Sequence, residues 1–380
     1  MRERGLRVLQ LTGDWKWTGP AEPMLQLALA LRERGIEVEL ACPEAPPGAA
    51  RSLAGEARAA GLPPALALSR GRGARWLRDR ADAARLRAHV ASRGVDVVHC
   101  WHTRDHVLAL RAAGARRPRS PRLVRSVASA DPIAPRPWNR WLFGPGADAV
   151  LCPSPASALR YAALRGGRAI AGHFGAVDVA RFRAGPPDPA VRRGLGLEAG
   201  HRVVGIAARV QPHRRFDLLL EAAARLFERD PAARLLVIGR GTRRAELAER
   251  PAERLGIADR VVFAGYRSDD YGDVLRAIDV FTLLVPGSDP SCRALLEAAA
   301  CGIPAVTTRR GALPEIVADG ETGLVAAETP EALAAAWQRL LSNAEERRSM
   351  GAAARRRAEA CFAPARLAEE VAALYASALG

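Results

Sequence analysis

The sequence predicts an α/β protein made of two doubly wound, parallel-sheet domains. Short apolar runs rich in Val, Ile and Leu alternate with longer segments of helical periodicity, the pattern of repeated βα units. At 380 residues the chain exceeds the usual single-domain size, so two cores of ordinary size are expected. Between them, the segment 175–196 contains Gly185-Pro186-Pro187-Asp188-Pro189, which can continue neither a helix nor a central strand. The expected division is 1–183, 184–361 and a final helical segment, 362–380.

In the first half, GLRVLQLTG (5–13) reads as strand one. MLQLALALRERG (24–35) is a helix stopped at Gly35, IEVELACP (36–43) is strand two, and VDVVHC (95–100) is a third strand. Trp15-Lys16-Trp17-Thr18-Gly19-Pro20 joins strand one to its helix, and loops at strand ends line clefts, so it is expected on the functional side. His99, His102 and His106 cluster in HCWHTRDH. Their mixed spacing does not put all three on one helical face and no second cluster accompanies them, so metal ligation is not expected. Solvent-facing loop histidines are the simple alternative.

In the second half, VVGIAARVQPHRRFDLLLEAAARL (203–226) is a buried strand, a turn carrying Arg209, His213, Arg214 and Arg215, and an amphipathic helix. Cations at the carboxyl end of a strand, beside a helix N-terminus, suit a phosphate. RLLVIGRG (234–241) runs into Gly239 and Gly241, and RVVFAGYR (260–267) ends around Gly265; neither makes a GxGxxG fingerprint. DDYGDVLRAIDVFTLL (269–284) is a helix and a strand leading into Asp289-Pro290-Ser291-Cys292-Arg293-Ala294-Leu295-Leu296-Glu297. Ser291 is the expected N-cap, and Gly302 with Pro304 stops that helix. Asp289 then lies in the loop and Glu297 roughly 9 Å along the helix, with the helix N–H groups between them. That layout suits a sugar, a diphosphate and a ribose in a row. Glu297 sits among Leu295, Leu296 and alanines, where an unpaired carboxylate is costly.

The segment from Asp289 to Glu297 resembles the Glu, seven residues, Glu motif of the retaining family 4 glycosyltransferases, which have the GT-B fold of two Rossmann-like domains facing across a cleft. RALLEAAACGIPAV fits that motif closely, while Asp289 stands for its first Glu and Pro290-Ser291-Cys292 for its Gly-Phe-Gly. The turn at Arg209 resembles the family's Gly-Arg-Leu and Lys-Gly signature, with Arg214 in the Lys place and Arg215 in the Gly place. Gly175-Ala176-Val177-Asp178 and Arg181-Phe182 resemble its interdomain segment. The resemblance implies that Arg209 and Arg214 stabilise a departing diphosphate and that Asp289 holds the donor sugar. It further implies that Glu297 holds the ribose, and that Gly19, Gly239, Gly241, Gly265, Ser291, Cys292, Arg293, Ala294 and Leu295 line the donor site. His99, His102 and His106 would lie on the acceptor side, and the final helix would return to the first domain. Where family members often carry a His after the strand in LVRSVASADPI, this chain has Ala128 and Ser129.

The implied activity is a retaining transfer from a UDP- or GDP-linked sugar to a carbohydrate or lipid-linked acceptor, in cell-envelope or extracellular glycan synthesis, with no metal and no cofactor. The rival from another class is a non-catalytic GT-B scaffold that binds nucleotide or sugar, which the substitutions at Asp289, Pro290, Ala128 and Arg215 favour. A sugar-nucleotide epimerase of the same fold would arrange its acidic and histidine residues differently.

Composition bounds place more than chemistry. The net charge is +16, and Lys16 is the sole lysine among 57 basic residues. The stretches 69–80, 116–125 and 135–143 are rich in Arg, the first and third with Trp as well, which suits an anionic membrane surface as a further partner. No nucleic-acid motif occurs, so nucleic acid is not an expected partner. No apolar run approaches the ~18 residues of a membrane helix, and the start reads as a strand and not a signal peptide. Six cysteines, Cys42, Cys100, Cys152, Cys292, Cys301 and Cys361, without framework spacing suit a reducing cytoplasm. The expected location is cytoplasmic, peripheral at the inner membrane face.

Overall fold

The computed structural model describes residues 5–17, 21–69, 75–114, 121–127, 134, 136–286 and 292–380. Two compact units divide the chain, residues 1–176 with 364–380, and residues 177–363. Each is a parallel sheet with helices on both faces.

The first sheet contains β1 (Arg7–Leu11), β2 (Glu37–Pro43), β3 (Leu66–Leu68), β4 (Val97–Cys100), β5 (Arg122–Ser126), β6 (Ala149–Cys152) and β7 (Ile170–Gly172). Their order is β3-β2-β1-β4-β5-β6-β7, and every pair is parallel. Side chains alternate across β1. Val8 joins Val97, Val124 and Ala149 on the face covered by the helices Ala21–Glu33 and Pro364–Leu379, whereas Leu9 and Leu11 join Val98, Cys100 and Leu123 on the other. Burying side chains such as Leu27, Leu31, Leu367 and Val371 in that first layer contributes ~1.5–3 kcal/mol each.

The second sheet contains β8 (Arg202–Ala207), β9 (Ala233–Ile238), β10 (Val261–Gly265), β11 (Val280–Leu283), β12 (Ala305–Thr308) and β13 (Gly323–Ala326), in the order β10-β9-β8-β11-β12-β13. Again all pairs are parallel. One face packs Val204, Val237 and Val306 against Phe216, Leu219 and Phe227 of the helix Phe216–Arg229 and against Trp337 of the helix Pro330–Ser342. The strand order reverses between β8 and β11 here, and between β1 and β4 in the first sheet. Such points open a crevice outside the carboxyl ends of the strands.

The first unit ends at Ala176, ahead of the expected boundary at residue 183. The reason is local. Arg355 donates to the carbonyls of Val179, Phe182 and Ala300, Phe182 meets Tyr271 edge-on at 5.8 Å, and Val177 N–H donates to Phe362 O at 2.8 Å. Residues 177–183 are thereby fastened to the second unit. All six cysteines are free thiols, five of them buried.

Candidate functional site

In the second unit the described residues expected at the donor site lie at the carboxyl ends of β8, β9 and β10 and on the helix that follows β11. Arg209 follows β8 and is exposed, with no ion-pair partner among the described residues. Three residues later Pro212–Arg214 forms a short 3-10 turn, and Arg214 Nη1 donates to the carbonyl of Val285, two residues past β11, at 3.4 Å. The cationic turn is thus tied to the strand that leads into the carboxylate helix. Arg215 comes next in the left-handed region at φ +57°, caps the helix Phe216–Arg229, and pairs with Asp217 at 3.3 Å and Glu328 at 3.6 Å. Arg310 joins Glu328 at 2.6 Å, and these two guanidinium groups, Arg310 foremost, hold the Glu328 carboxyl below its usual range.

The helix Arg293–Ala300 begins one residue later than a Ser291 N-cap would give. Cys292 is its cap, buried and left-handed at φ +51°, and no side-chain hydrogen bond caps it. Arg215 and Cys292 are the two non-glycine residues with positive φ among the described residues. Both occupy places where the sequence resemblance expects glycine, so the glycine geometry survives the loss of glycine.

Glu297, 5% exposed, lies within this helix. Its Oε2 accepts from the Tyr271 hydroxyl at 3.0 Å and its Oε1 lies 3.3 Å from Arg293 Nε. A buried carboxylate needs such partners. Burial first, and Glu297 second, push the Tyr271 hydroxyl well above its ordinary pKa, so it is a donor at neutral pH. Leu295 is fully buried, and Arg293 and Ala294 are half-buried on the outer side of the first turn.

The glycine turns lie at the ends of β9 and β10. Gly239 N–H donates to Gly265 O at 2.7 Å, joining the two strand ends. Gly239 has φ +137°, and a Cβ there would fall 2.2 Å from Ala208 O; at Gly241 it would fall 2.3 Å from Val210 O. Neither position accepts a side chain without moving the backbone that carries Arg209. Above them Arg240 stacks on the exposed Tyr266 ring at 4.9 Å. Gly19, Asp289 and Ser291 lie outside the described residues, as do Ala128 and Ser129.

In the first unit the three histidines do not share a site, and two depart from their expected acceptor-side, cleft-facing place. His99 is in β4 and fully buried, with Nδ1 2.7 Å from the Tyr375 hydroxyl and Nε2 2.8 Å from Ser126 Oγ. It stacks on Trp101 at 5.3 Å, and burial, reinforced by Arg125, pushes its pKa down to about 3. Gln10 bonds both Tyr375 and Trp101 Nε1, completing a buried polar chain from β1 and β4 to the final helix. His106 is also fully buried, where Nε2–H donates to Gly146 O at 3.0 Å. The periodicity of the helix Thr103–Ala113 turns it inward. His102 alone lines a small pocket, with Thr12, Asp14, Ala21, Met24, Leu53 and Trp101. Among the described residues no three His, Cys, Asp or Glu side chains gather as metal ligands.

Sequence reasoning missed Tyr271, Tyr375 and Gln10. Tyr271 and Glu297 are 26 residues apart, and Tyr375 and His99 are 276 apart, so no local pattern could join them.

Residues 188–357 match the family described as Glycosyl transferases group 1, and residues 19–171 match Glycosyltransferase Family 4. The D-inositol 3-phosphate glycosyltransferase of Rhodococcus opacus is 39% identical over 191 residues, 48% of this chain and 42% of that protein. The chain therefore aligns with less than half the length of that relative. The GDP-mannose-dependent alpha-(1-6)-phosphatidylinositol monomannoside mannosyltransferase of Mycolicibacterium smegmatis is 32% identical over 289 residues, 72% of this chain and 74% of that protein. Among solved structures, HepE from Anabaena in complex with UDP-glucose superposes with a TM-score of 0.78 at 20% identity, covering 98% of this chain and 100% of that one. A glycosyltransferase from Rickettsia africae does so with a TM-score of 0.83 at 15% identity, covering 99% of each. At those identities the two structures speak for the fold, two Rossmann-like domains of the GT-B type. With both halves matched and a relative aligned over most of its length, the chain belongs to the family 4 glycosyltransferases.

Proposed function

We propose that the protein transfers a sugar from a nucleotide-diphosphate donor to a carbohydrate or glycolipid acceptor, with retention at the anomeric carbon and without a metal. One observation carries this reading. At the sheet's reversal point the arginine turn after β8 is hydrogen-bonded, Arg214 to Val285, to the segment that follows β11 and leads to the Glu297 helix. Cations and a helix N-terminus there suit a diphosphate, and an oriented buried carboxylate beyond them suits the ribose diol. Arg209 and Arg214 stabilise charge on the leaving diphosphate, the part of this chemistry that the protein supplies electrostatically. Glu297, held by Tyr271 and Arg293, takes the ribose hydroxyls, and Asp289 holds the transferred sugar. Arg293, Ala294, Leu295, Cys292, Ser291, Gly19, Gly239, Gly241 and Gly265 form the walls of the donor site. His102 belongs to the acceptor side.

The names of the relatives support a lipid-linked or inositol-type acceptor and a UDP- or GDP-linked donor. An anionic membrane face fits Trp138 and Trp141, which stack at 5.2 Å and stand exposed on the helix Pro137–Phe143, with Arg136 and Arg140 beside them in the chain. No helix among the described residues is long and apolar enough to cross a bilayer. A cytoplasmic, membrane-peripheral place in envelope glycan synthesis follows from this reading.

The test is slow hydrolysis of a panel of UDP- and GDP-sugars by the purified protein, with and without EDTA. Release of UDP or GDP that survives EDTA supports the enzyme. Tight nucleotide binding with no turnover on any donor supports the scaffold, and turnover abolished by EDTA and restored by magnesium or manganese refutes the metal-free mechanism.

A further inference from the structure

Arg125, the next-to-last residue of β5, is 5% exposed. Its Nη2 donates to Thr103 Oγ1 at 3.1 Å, which fixes the group against the first turn of the eleven-residue helix Thr103–Ala113. Nε and Nη1 have no hydrogen-bond partner among the described residues.

Among the described residues no carboxylate oxygen is hydrogen-bonded to it. Asp105 is the acidic side chain that acts on it, yet both its oxygens are occupied by backbone N–H groups, Gly13 on Oδ1 and His102 on Oδ2, each at 2.8 Å. Burial also pushes the Asp105 carboxyl up to about 7. Cys100, its register partner on β4, is a thiol whose pKa burial raises, and His99 is neutral. Arg104 is taken by Asp79 and Asp82, and Asp14 lies toward the His102 pocket. A buried cation with two unmet donors and no carboxylate hydrogen-bonded to it among the described residues is costly unless an anion completes it. The position is one strand from the β1–β4 reversal point, at strand carboxyl ends, where ligands of doubly wound sheets bind, and the positive end of a helix faces the same place.

We infer that Arg125 and the N-terminal end of the helix Thr103–Ala113 form an oxyanion site that receives a phosphate carried by the acceptor. The inference rests on the proposed glycosyl transfer, since it gives the first unit an acceptor of defined charge. Arg125 supplies Nε and Nη1, Thr103 orients the guanidinium through Nη2, and the helix end adds its dipole.

The experiment measures thermal unfolding and calorimetric binding of the full chain with inorganic phosphate, with the donor side first saturated by UDP or, in a second arm, GDP. Wild type is expected to gain stability saturably with phosphate in the presence of nucleotide. Arg125→Gln should weaken phosphate binding by about tenfold or more, leave nucleotide binding unchanged, and not lower the unfolding midpoint of the phosphate-free protein. Arg125→Lys, a fallback should the Gln variant fold poorly, keeps the charge but loses the fork, so weaker phosphate binding is expected there too. A phosphate response that vanishes once nucleotide is saturating belongs to the donor diphosphate and overturns the inference. An undiminished response in both variants overturns it as well, as does a lowered midpoint with normal phosphate affinity. Nucleotide binding on the same samples reports separately on the donor reading, so the two can fail independently.

Discussion

Replacing Tyr271 with Phe removes one oxygen and little else. The ring keeps its edge-on contact with Phe182, while Glu297 Oε2 loses its 3.0 Å hydroxyl donor and only Arg293 among the named partners remains, at 3.3 Å. A hydrogen bond to a charged group is worth ~1.5–3 kcal/mol, and the carboxylate left behind is 5% exposed, so water replaces the donor poorly. Tyr271→Phe should therefore destabilise the second unit by about 1.5–3 kcal/mol, raising its unfolded fraction by roughly 10- to 150-fold. Urea unfolding at neutral pH measures this, and calorimetry with UDP and GDP measures the companion effect, a loss of nucleotide affinity smaller than that of Glu297→Gln. In the double variant the two changes should be strongly non-additive, because both act on the same hydrogen bond. A stability change within about 0.5 kcal/mol for Tyr271→Phe, or additive losses, refutes the pairing. Nucleotide affinity untouched by Glu297→Gln refutes the ribose role.

Arg209→Ala and Arg214→Ala should each weaken nucleoside diphosphate binding by ~1.5–3 kcal/mol while sparing the bare nucleoside; equal losses for both ligands in calorimetry would show that neither arginine holds phosphate. At position 215, Gly should give a protein about 1 kcal/mol more stable than Ala, since both lose the ion pairs but only Ala retains the strained φ of +57°. Equal urea midpoints for the two variants contradict that strain. Acid should weaken the first unit. Burial depresses His99 to about 3 and His173 to about 4 in the folded state, so the stability they give is complete above about pH 6.5 and is lost as pH falls toward those values. By pH 5 each costs about 2 kcal/mol, and His99→Gln should flatten the fall in the unfolding midpoint by about half; an unchanged pH profile argues against a neutral, buried His99.

What the sequence disclosed was what local chemistry encodes. Apolar runs bounded by glycine and proline located the strands that carry the site, β1, β2, β4 and β8 to β11, because a doubly buried parallel strand must be apolar along its length. Arg209, Arg214 and Glu297 were found for the same reason, being charges set in otherwise apolar βα turns. The short edge strand β3 carries too few residues to stand out from its surroundings. The histidines were misread because which side of a strand or helix is buried depends on the elements that pack on it, and a residue's place in the local pattern does not show that. His99 belongs to β4 itself, and His106 to the buried stripe of the following helix. The partners of Glu297 and His99 could not be read at all, since both tyrosines arrive from distant elements through tertiary packing alone.

The helix Pro364–Leu379 supplies Leu367, Val371, Leu374 and Tyr375 to the core of the first unit, and this imposes an order on biosynthesis. On the ribosome, residues 1–176 emerge long before this helix, and until it arrives the face bearing Leu27, Leu31 and Val97 is wet and His99 has no tyrosine. The intervening residues 177–363 form a continuous unit that can close by itself as it emerges. The earlier-made half must therefore wait for the later-made half. Chaperone engagement, proteolytic sensitivity of nascent chains and the damage done by premature stops upstream of residue 364 should all fall on the amino-terminal unit.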